Sequence, residues 1–403
     1  MKFLAHIFVF SCFFPFLDFI RIGTDTQPNS MFLGTIILFV SSRQKMNTPL
    51  LLLWLTFAIS LVFAFTSNVD AFLTIKLILN YLSPPIVATA AYIIFTKTEY
   101  RLSFMLFMTF MFIYFVVGFV QAYFINDFMT ILLNEGRGIL VGGRGVVSLT
   151  TEPAFYGSTC LFFIVYSILN YSKTQNIIAC IFLLFQTLVL ARSTVSVAIL
   201  GLSIIIFGVV QLLKLRLVYV SFLAIIFIVL ALNAQTIINS IETTRTGRVL
   251  ATFIKDPAKV AQIDGSIAMR ASNTFAPYFV IRHNNFLPMG YGRFLIMLRK
   301  LNSEGKYKAI ITKETLRQRE RIVGGLNMVL FQLGFLGLFL PLSIYLAFKP
   351  LLHKSAVMFA LILFVTILFT QIQLMHAMIG FIIASAVFQG KLYEQTKKKG
   401  TSG

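Results

Sequence analysis

"SFMLFMTFMFIYFVVGFVQAYF", residues 103–124, contains no charged side chain. A helix rises about 1.5 Å per residue, so ~20 apolar residues cross the ~30 Å hydrocarbon layer. Lipid offers no partner to an open backbone, which makes a helix the expected element. The rest of the chain is of the same kind. Of 403 residues 58% are hydrophobic and 12% charged, 44 are Phe, and the mean hydropathy is +0.87. That composition excludes a soluble domain around one core. The three cysteines, Cys12, Cys160 and Cys180, fall inside apolar runs, where a thiol serves as a small hydrophobe rather than in a disulfide or metal framework.

Apolar segments recur at 4–20, 31–42, 49–65, 71–95, 103–124, 153–171, 177–191, 195–213, 217–233, 323–348, 356–370 and 374–389, which predicts an all-α polytopic membrane protein of about twelve helices in a single domain, 1–403. The first resembles a signal peptide, but Asp18 and the lack of a small-x-small cleavage site keep it as a helix. The fourth carries Lys76 and Pro84-Pro85 and reads as one kinked or broken helix. The stretch 356–389 is too long for one ordinary crossing and reads as two short helices. With a cytoplasmic N-terminus, the inner side receives fourteen cations: Lys2, Arg43, Lys45, Lys97, Arg101, Lys173, Lys214, Arg216, Lys349, Lys354, Lys391, Lys397, Lys398 and Lys399. The outer short loops hold only Arg21, Arg137, Arg144 and Arg192. The asymmetry places both termini in the cytoplasm.

A long hydrophilic interval, 233–324, then lies outside, between helices nine and ten. It carries fifteen Lys/Arg against six Asp/Glu, a surplus of nine positive charges. Such a loop can be a solvated, headgroup-bound surface or an electropositive vestibule for an anionic substrate. Within it "DGSIAMRASNTFAPYFVIRHNNFLPMGYGRF" (264–294) sets Arg270, Arg282 and His283 before the turn-forming Gly290 and Gly292, and looks like a folded, docked element. A second external loop, 125–152, surrounds Arg137 and Arg144 with glycines and ends in Thr151-Glu152-Pro153. This is a helix start, with Thr able to cap, Pro suited to the first turn and Glu complementing the macrodipole. A carboxylate at the membrane boundary beside arginines can also bind or deprotonate a polar substrate. Arg192, in "LVLARSTVSVAIL", occupies a tight external turn and can snorkel or contact a ligand. No GxxxxGK[ST] or HExxH pattern is present, so neither a nucleotide P-loop nor a metal site is expected.

The order of these features resembles the Wzy-type O-antigen, or polysaccharide repeat-unit, polymerases. An external Arg-containing loop leads into "EPAFYG", followed by "LARSTVSVAILGL", a large loop with "DGSIAMR" and "FLPMGYGRF", and "GGLNMVLFQLGFLGLFLPL". The resemblance spans roughly 125–345. The related O-antigen ligases typically open the helix after the large loop with His-Asn, where this chain has Leu326-Asn327. The resemblance implies a GT-C-like architecture in the bacterial inner membrane and a metal-independent, inverting glycosyl transfer at the periplasmic face, without cofactor or nucleic acid. The growing glycan would pass from undecaprenyl pyrophosphate to a hydroxyl of the next lipid-linked unit, with a chain-length regulator as a further partner. On that reading Arg270 and Arg282 bind pyrophosphate, Arg192 with Arg144 or Arg137 adds contacts, and Glu152 or His283 is the base. A ligase and a lipid-linked oligosaccharide flippase are the alternatives.

Overall fold

The structure is a computed structural model that describes residues 1–19, 26–41, 46–67, 70–98, 100–133, 145–214, 265–305 and 322–400, together with the single residues 221, 252 and 316. It is all-α. The helices are α1 (Lys2–Phe13), α2 (Asn29–Val40), α3 (Thr48–Phe65), α4 (Ala71–Lys97), α5 (Phe104–Tyr123), α6 (Pro153–Asn170), α7 (Lys173–Phe185) and α8 (Thr194–Leu213). They continue with α9 (Gly265–His283), α10 (Phe294–Ser303), α11 (Gly325–Leu333), α12 (Phe339–Phe348), α13 (Ser355–Thr370) and α14 (Ala377–Gly400). Every apolar segment read from the sequence overlaps at least one of them except 217–233, which but for residue 221 falls outside the described residues; 4–20 is helical only to Phe13, and 323–348 is divided between α11 and α12. Among the described residues seven helical runs are long and apolar enough to cross a membrane: α3, α4, α5, α6, α7 with its extension to Leu190, α8, and the run Gly325–Leu351. The chain is thus a multi-pass membrane protein.

Burial sorts these runs into inner and peripheral helices. In α6, 83% of the spanning window is buried, whereas in α8 only 22% is, although α8 is the more apolar of the two. Apolar side chains that face no protein are ordinary where the solvent is lipid. The centre is built from α4, α6 and α14, with α1 docked against α6 and α14. Phe13 of α1 meets Phe107 and Phe110 of α5, Phe163 and Tyr166 of α6, and Phe381 of α14, with ring centroids 5.2–6.1 Å apart. Edge and stacked aromatic pairs of this kind contribute roughly 0.5–1.5 kcal/mol each beyond their area. Part of the phenylalanine excess therefore serves the core.

The helix ends sort into two layers. At one end the ring of His6 meets Tyr100, Tyr171 Oη donates to Leu102 O (3.1 Å), Ser385 Oγ donates to Asn170 Oδ1 (2.9 Å), and His353 stacks on Tyr393. This layer carries Lys2, Lys97, Arg101, Lys173, Lys349 and Lys354 and is called the lysine-rich end. At the far end Asn29 Nδ2 donates to Leu17 O (2.8 Å), Asp18 N to Leu132 O (2.9 Å), Val146 N to Leu190 O (3.0 Å) and Gly325 N to Ile372 O (2.7 Å).

Two expectations meet their physical detail here. α4 is not broken: it runs helically through Pro84 and Pro85, and Asp70 caps its start by accepting from Phe72 N and Leu73 N. Gly380 of α14 lies directly on this stretch, where an added Cβ would sit 2.8 Å from both Pro84 O and Ala88 N. Small residues let two backbones approach this closely. The stretch 356–389 does divide, into α13 and α14, and α14 continues through the basic tail. Lys76, read as either snorkelling or reaching a chamber, has its ammonium 4.3 Å from the centroid of the Phe72 ring, one turn towards the far end.

Candidate functional site at the far end

The start of α6 is built by its backbone. Glu152, with φ −146° and ψ 152°, holds the N-cap position, Pro153 follows at the first helical position, and Phe155 N and Tyr156 N both donate to Glu152 O. The expected capping threonine does not cap: Thr151 is buried, and among the described residues its Oγ1 has no hydrogen-bond partner. The Glu152 side chain makes no cap bond either, and it is half-exposed.

The segment before it is fixed from α5. Ser148, at φ 52°, is gripped by Gln121, whose Oε1 accepts from Ser148 N (2.7 Å) and whose Nε2 donates to Ser148 O (3.1 Å). Ser148 Oγ donates to Tyr114 O (2.6 Å). Gly145 packs on the Ala191 carbonyl, an approach that leaves no space for a Cβ. Ala191 ends a π-helical turn, Gln186–Leu190, and Arg192 follows in the left-handed region at φ 43°, exposed, with Nε donating to Val189 O (3.1 Å). Such π-turns are frequent at functional positions. Gly157 of α6 meets Ser193 and Ser196 at the start of α8, so the Glu152 helix and the Arg192 turn are packed side by side. Arg137 and Arg144 lie outside the described residues.

The other half comes from α9. Arg282 and His283 are its last residues and are exposed. Arg270 lies on the same helix, and its side chain is outside the described residues. Twelve residues at about 1.5 Å each set Arg270 and Arg282 roughly 18 Å apart along the helix. After α9 the chain reverses through Asn285 (φ 53°) and Phe286 (φ 59°), and the segment that follows is indeed docked. Met289 N donates to Phe331 O, Gly290 N to Gln332 O (3.0 Å), and Tyr291 Oη to Ser60 O (3.0 Å). Tyr81 Oη donates to the Gln332 side chain (2.8 Å) and its ring stacks on Tyr291.

Between this segment and the end of α3 lies a cleft of about 220 Å³, lined by Phe63, Thr66 and Ser67 on one side and Gly290, Tyr291 and Arg293 on the other. Sequence reasoning missed Arg293, Thr66 and Ser67 as site residues. Arg293 stood inside the quoted motif and counted only as charge, and nothing local marked the hydroxyls as its neighbours.

No family model matches the chain, and no curated protein matches it. The geometry therefore carries the functional argument. One anchor of it is Asn327, in the first turn of α11. Its Nδ2 donates to Thr274 O of α9 (2.9 Å) and Phe369 O of α13 (2.8 Å), tying three elements together beneath the site. Asn327→Leu keeps the branched outline, though it is bulkier, and strips both carbonyls of their donor, at about 1–3 kcal/mol for each buried group left unsatisfied. A lower Tm in detergent is expected; an unchanged Tm would show that the two carbonyls find other partners.

Proposed function

We propose that the chain is a Wzy-type polymerase, a polysaccharide repeat-unit glycosyltransferase of GT-C-like architecture with about twelve crossings. It would sit in the bacterial inner membrane with both termini cytoplasmic and the far end periplasmic. It would transfer a growing glycan from undecaprenyl pyrophosphate to a hydroxyl of the next lipid-linked unit. The observation that carries this is the Arg293 cleft: a guanidinium and two hydroxyls at the mouth of a lipid-facing helix, on the same end as Glu152, Arg192 and Arg282.

The chemistry suits that set. As the glycosyl bond breaks, charge builds on the leaving pyrophosphate, and guanidinium groups already in place lower the barrier. Arginine keeps its charge and binds phosphate oxygens as a fork. The roughly 18 Å between Arg270 and Arg282 exceeds what one diphosphate spans, which fits a reaction with two lipid-diphosphate substrates, a donor and an acceptor. Arg137, Arg144 and Arg192 would add contacts from the loop side. Glu152 or His283 would take the proton of the acceptor hydroxyl. A chain-length regulator remains the proposed protein partner.

The deciding experiment is purified protein in detergent with a synthetic polyprenyl-pyrophosphate repeat unit, read as a ladder on a gel. A ladder supports the reading, whereas transfer only to a separate acceptor glycan would mean a ligase, and vesicle transport without covalent product a flippase. Within that assay Glu152→Gln tests the base. The amide keeps the shape of the side chain but accepts no proton at neutral pH, so the rate should fall roughly 10²-fold, the lower range for loss of a general base. A full ladder from Glu152→Gln would leave Glu152 only its backbone role.

A further inference from the structure

α5 has 20 residues, which at about 1.5 Å each equals the ~30 Å hydrocarbon layer, so its last residue, Tyr123, marks the membrane boundary at the far end. Its outward stripe, Phe112, Val116, Phe119 and Tyr123, is exposed and recurs every three or four residues, as a lipid-facing side does. The rings of Tyr123 and Phe124 both rest on Phe119, at 4.8 and 6.1 Å, so the stripe runs on past the helix end without a break. Nor does the chain leave the boundary there. Gln121 Nε2 donates to Phe128 O (2.9 Å), which draws the chain back to the level of the last turn of α5. Asp18 N then donates to Leu132 O (2.9 Å), and Leu133 pairs with Leu17. The result is a strap, "FINDFMTILL" (124–133), tied to the bundle at both ends. Its side chains are the reverse of a solvated loop's. Ile131 is 85% exposed and Phe124 72%, Ile125, Met129 and Leu132 are exposed as well, and Asp127 is the single charge. Its backbone is meanwhile bonded locally: Phe124 N and Ile125 N donate to Val120 O, Phe128 N to Ile125 O, Thr130 N to Asp127 O, Leu132 N to Met129 O and Leu133 N to Thr130 O. An apolar exterior over paired amides suits lipid rather than water.

We propose that the strap 124–133 lies in the bilayer interface at the far end, with Phe124, Ile125, Ile131 and Leu132 entering the boundary between phospholipid headgroups and acyl chains. The inference goes beyond the polymerase reading and does not depend on it. A turn of this kind is excluded from the lipid-exposed hydrocarbon centre, which sets its depth at the interface. With one carboxylate and no cation, the strap is held by its apolar area and not by attraction to anionic headgroups. Gln121, which holds Phe128, also grips Ser148 at both N and O, so the strap and the loop that enters Glu152 share one support.

The chain has one tryptophan, Trp54, so Trp54→Phe gives a dark background; where that variant is not monodisperse, the parent spectrum is subtracted instead. Ile131→Trp and Phe124→Trp then report on the strap, and Phe112→Trp on the middle of α5, in full-length protein reconstituted into phosphatidylcholine vesicles. All three positions are exposed, so the substitutions leave the core intact. Both strap indoles should be quenched at least about twofold by lipid brominated near the head of the acyl chain, about 5–10 Å deep, and less by lipid brominated near its end. Phe112→Trp should show the reverse order. For either strap indole, quenching by aqueous iodide without quenching by bromolipid overturns the proposal, since a solvated loop behaves that way. Protection from both iodide and bromine also overturns it, because a second copy or another part of the chain then covers the strap. Stronger quenching by the deep bromine overturns it too, by placing the turn within the hydrocarbon. None of these readouts uses the ladder assay, so the polymerase reading stands or falls separately.

Discussion

Arg293→Ala is expected to slow polymer formation roughly 10²–10³-fold, about 3–4 kcal/mol, the usual cost of removing one preorganised donor from developing charge. The residue is exposed and lines the cleft together with Thr66, Ser67 and Gly290, so the change removes a guanidinium without opening the core. Folding should be indifferent to it. Arg293→Lys should restore little, because an ammonium is a point charge and cannot bind two phosphate oxygens as a fork. The measurement is the ladder assay together with the affinity for polyprenyl pyrophosphate. If Arg293→Ala makes a normal ladder, the cleft is not where the leaving group sits.

Gly334→Ala should have the largest effect on stability. Gly334 stands at φ 56° and ψ −137°, a conformation other residues scarcely adopt, and it ends α11 where the chain turns into α12. An added Cβ would lie 2.5 Å from Phe286 O and 2.6 Å from Pro288 N. Both are backbone atoms, so no rotamer relieves the clash. Strain and overpacking together give about 2–5 kcal/mol. Phe335 N also donates to Phe286 O (3.0 Å), so the shift is transmitted to the docked segment that carries Arg293. Loss of Tm and loss of ladder are expected together. Gly201→Ala on α8 is the control: nothing lies within 4 Å of its added Cβ, and alanine is the better helix former. Equal Tm losses in the two variants would show that backbone crowding is not the cause.

Helix positions were legible in the sequence because hydrophobicity is a local signal with a length fixed by the bilayer. The division of 356–389 into α13 and α14 followed from the same arithmetic. The helix start at Pro153 was also legible, but which residue would occupy the cap was not, since Thr151 is drawn inward by packing and leaves the position to Glu152. Burial was hidden. α6 and α8 both read as spans, and although α6 is the less apolar and carries Gly157, Ser158 and Thr159, its composition does not say which helices enclose it.

The charged members of the candidate site could be picked out from the sequence and its neutral members could not. Arg192, Arg282, His283 and Glu152 stood out because charge is rare in this chain. Thr66 and Ser67 are common residues whose interest comes from Arg293, far away in sequence, across the cleft. The approximate spacing of Arg270 from Arg282 could have been calculated from the sequence once a single helix was assumed. Asn273, Pro277 and the aromatics between them did not suggest one.

The Met375 peptide is held by Ser83 and Asn80, partners 292 and 295 residues earlier. A ribosome therefore delivers α4 to the membrane long before the strand of chain that satisfies its polar groups and fills the groove beside its prolines. Until the segment around Met375 is inserted, the nascent bundle carries an open seam of amide and hydroxyl groups in the bilayer. Closure of that seam waits for this much later segment, which gives insertion chaperones a defined surface to shield and leaves chains that stop short of it exposed to quality control.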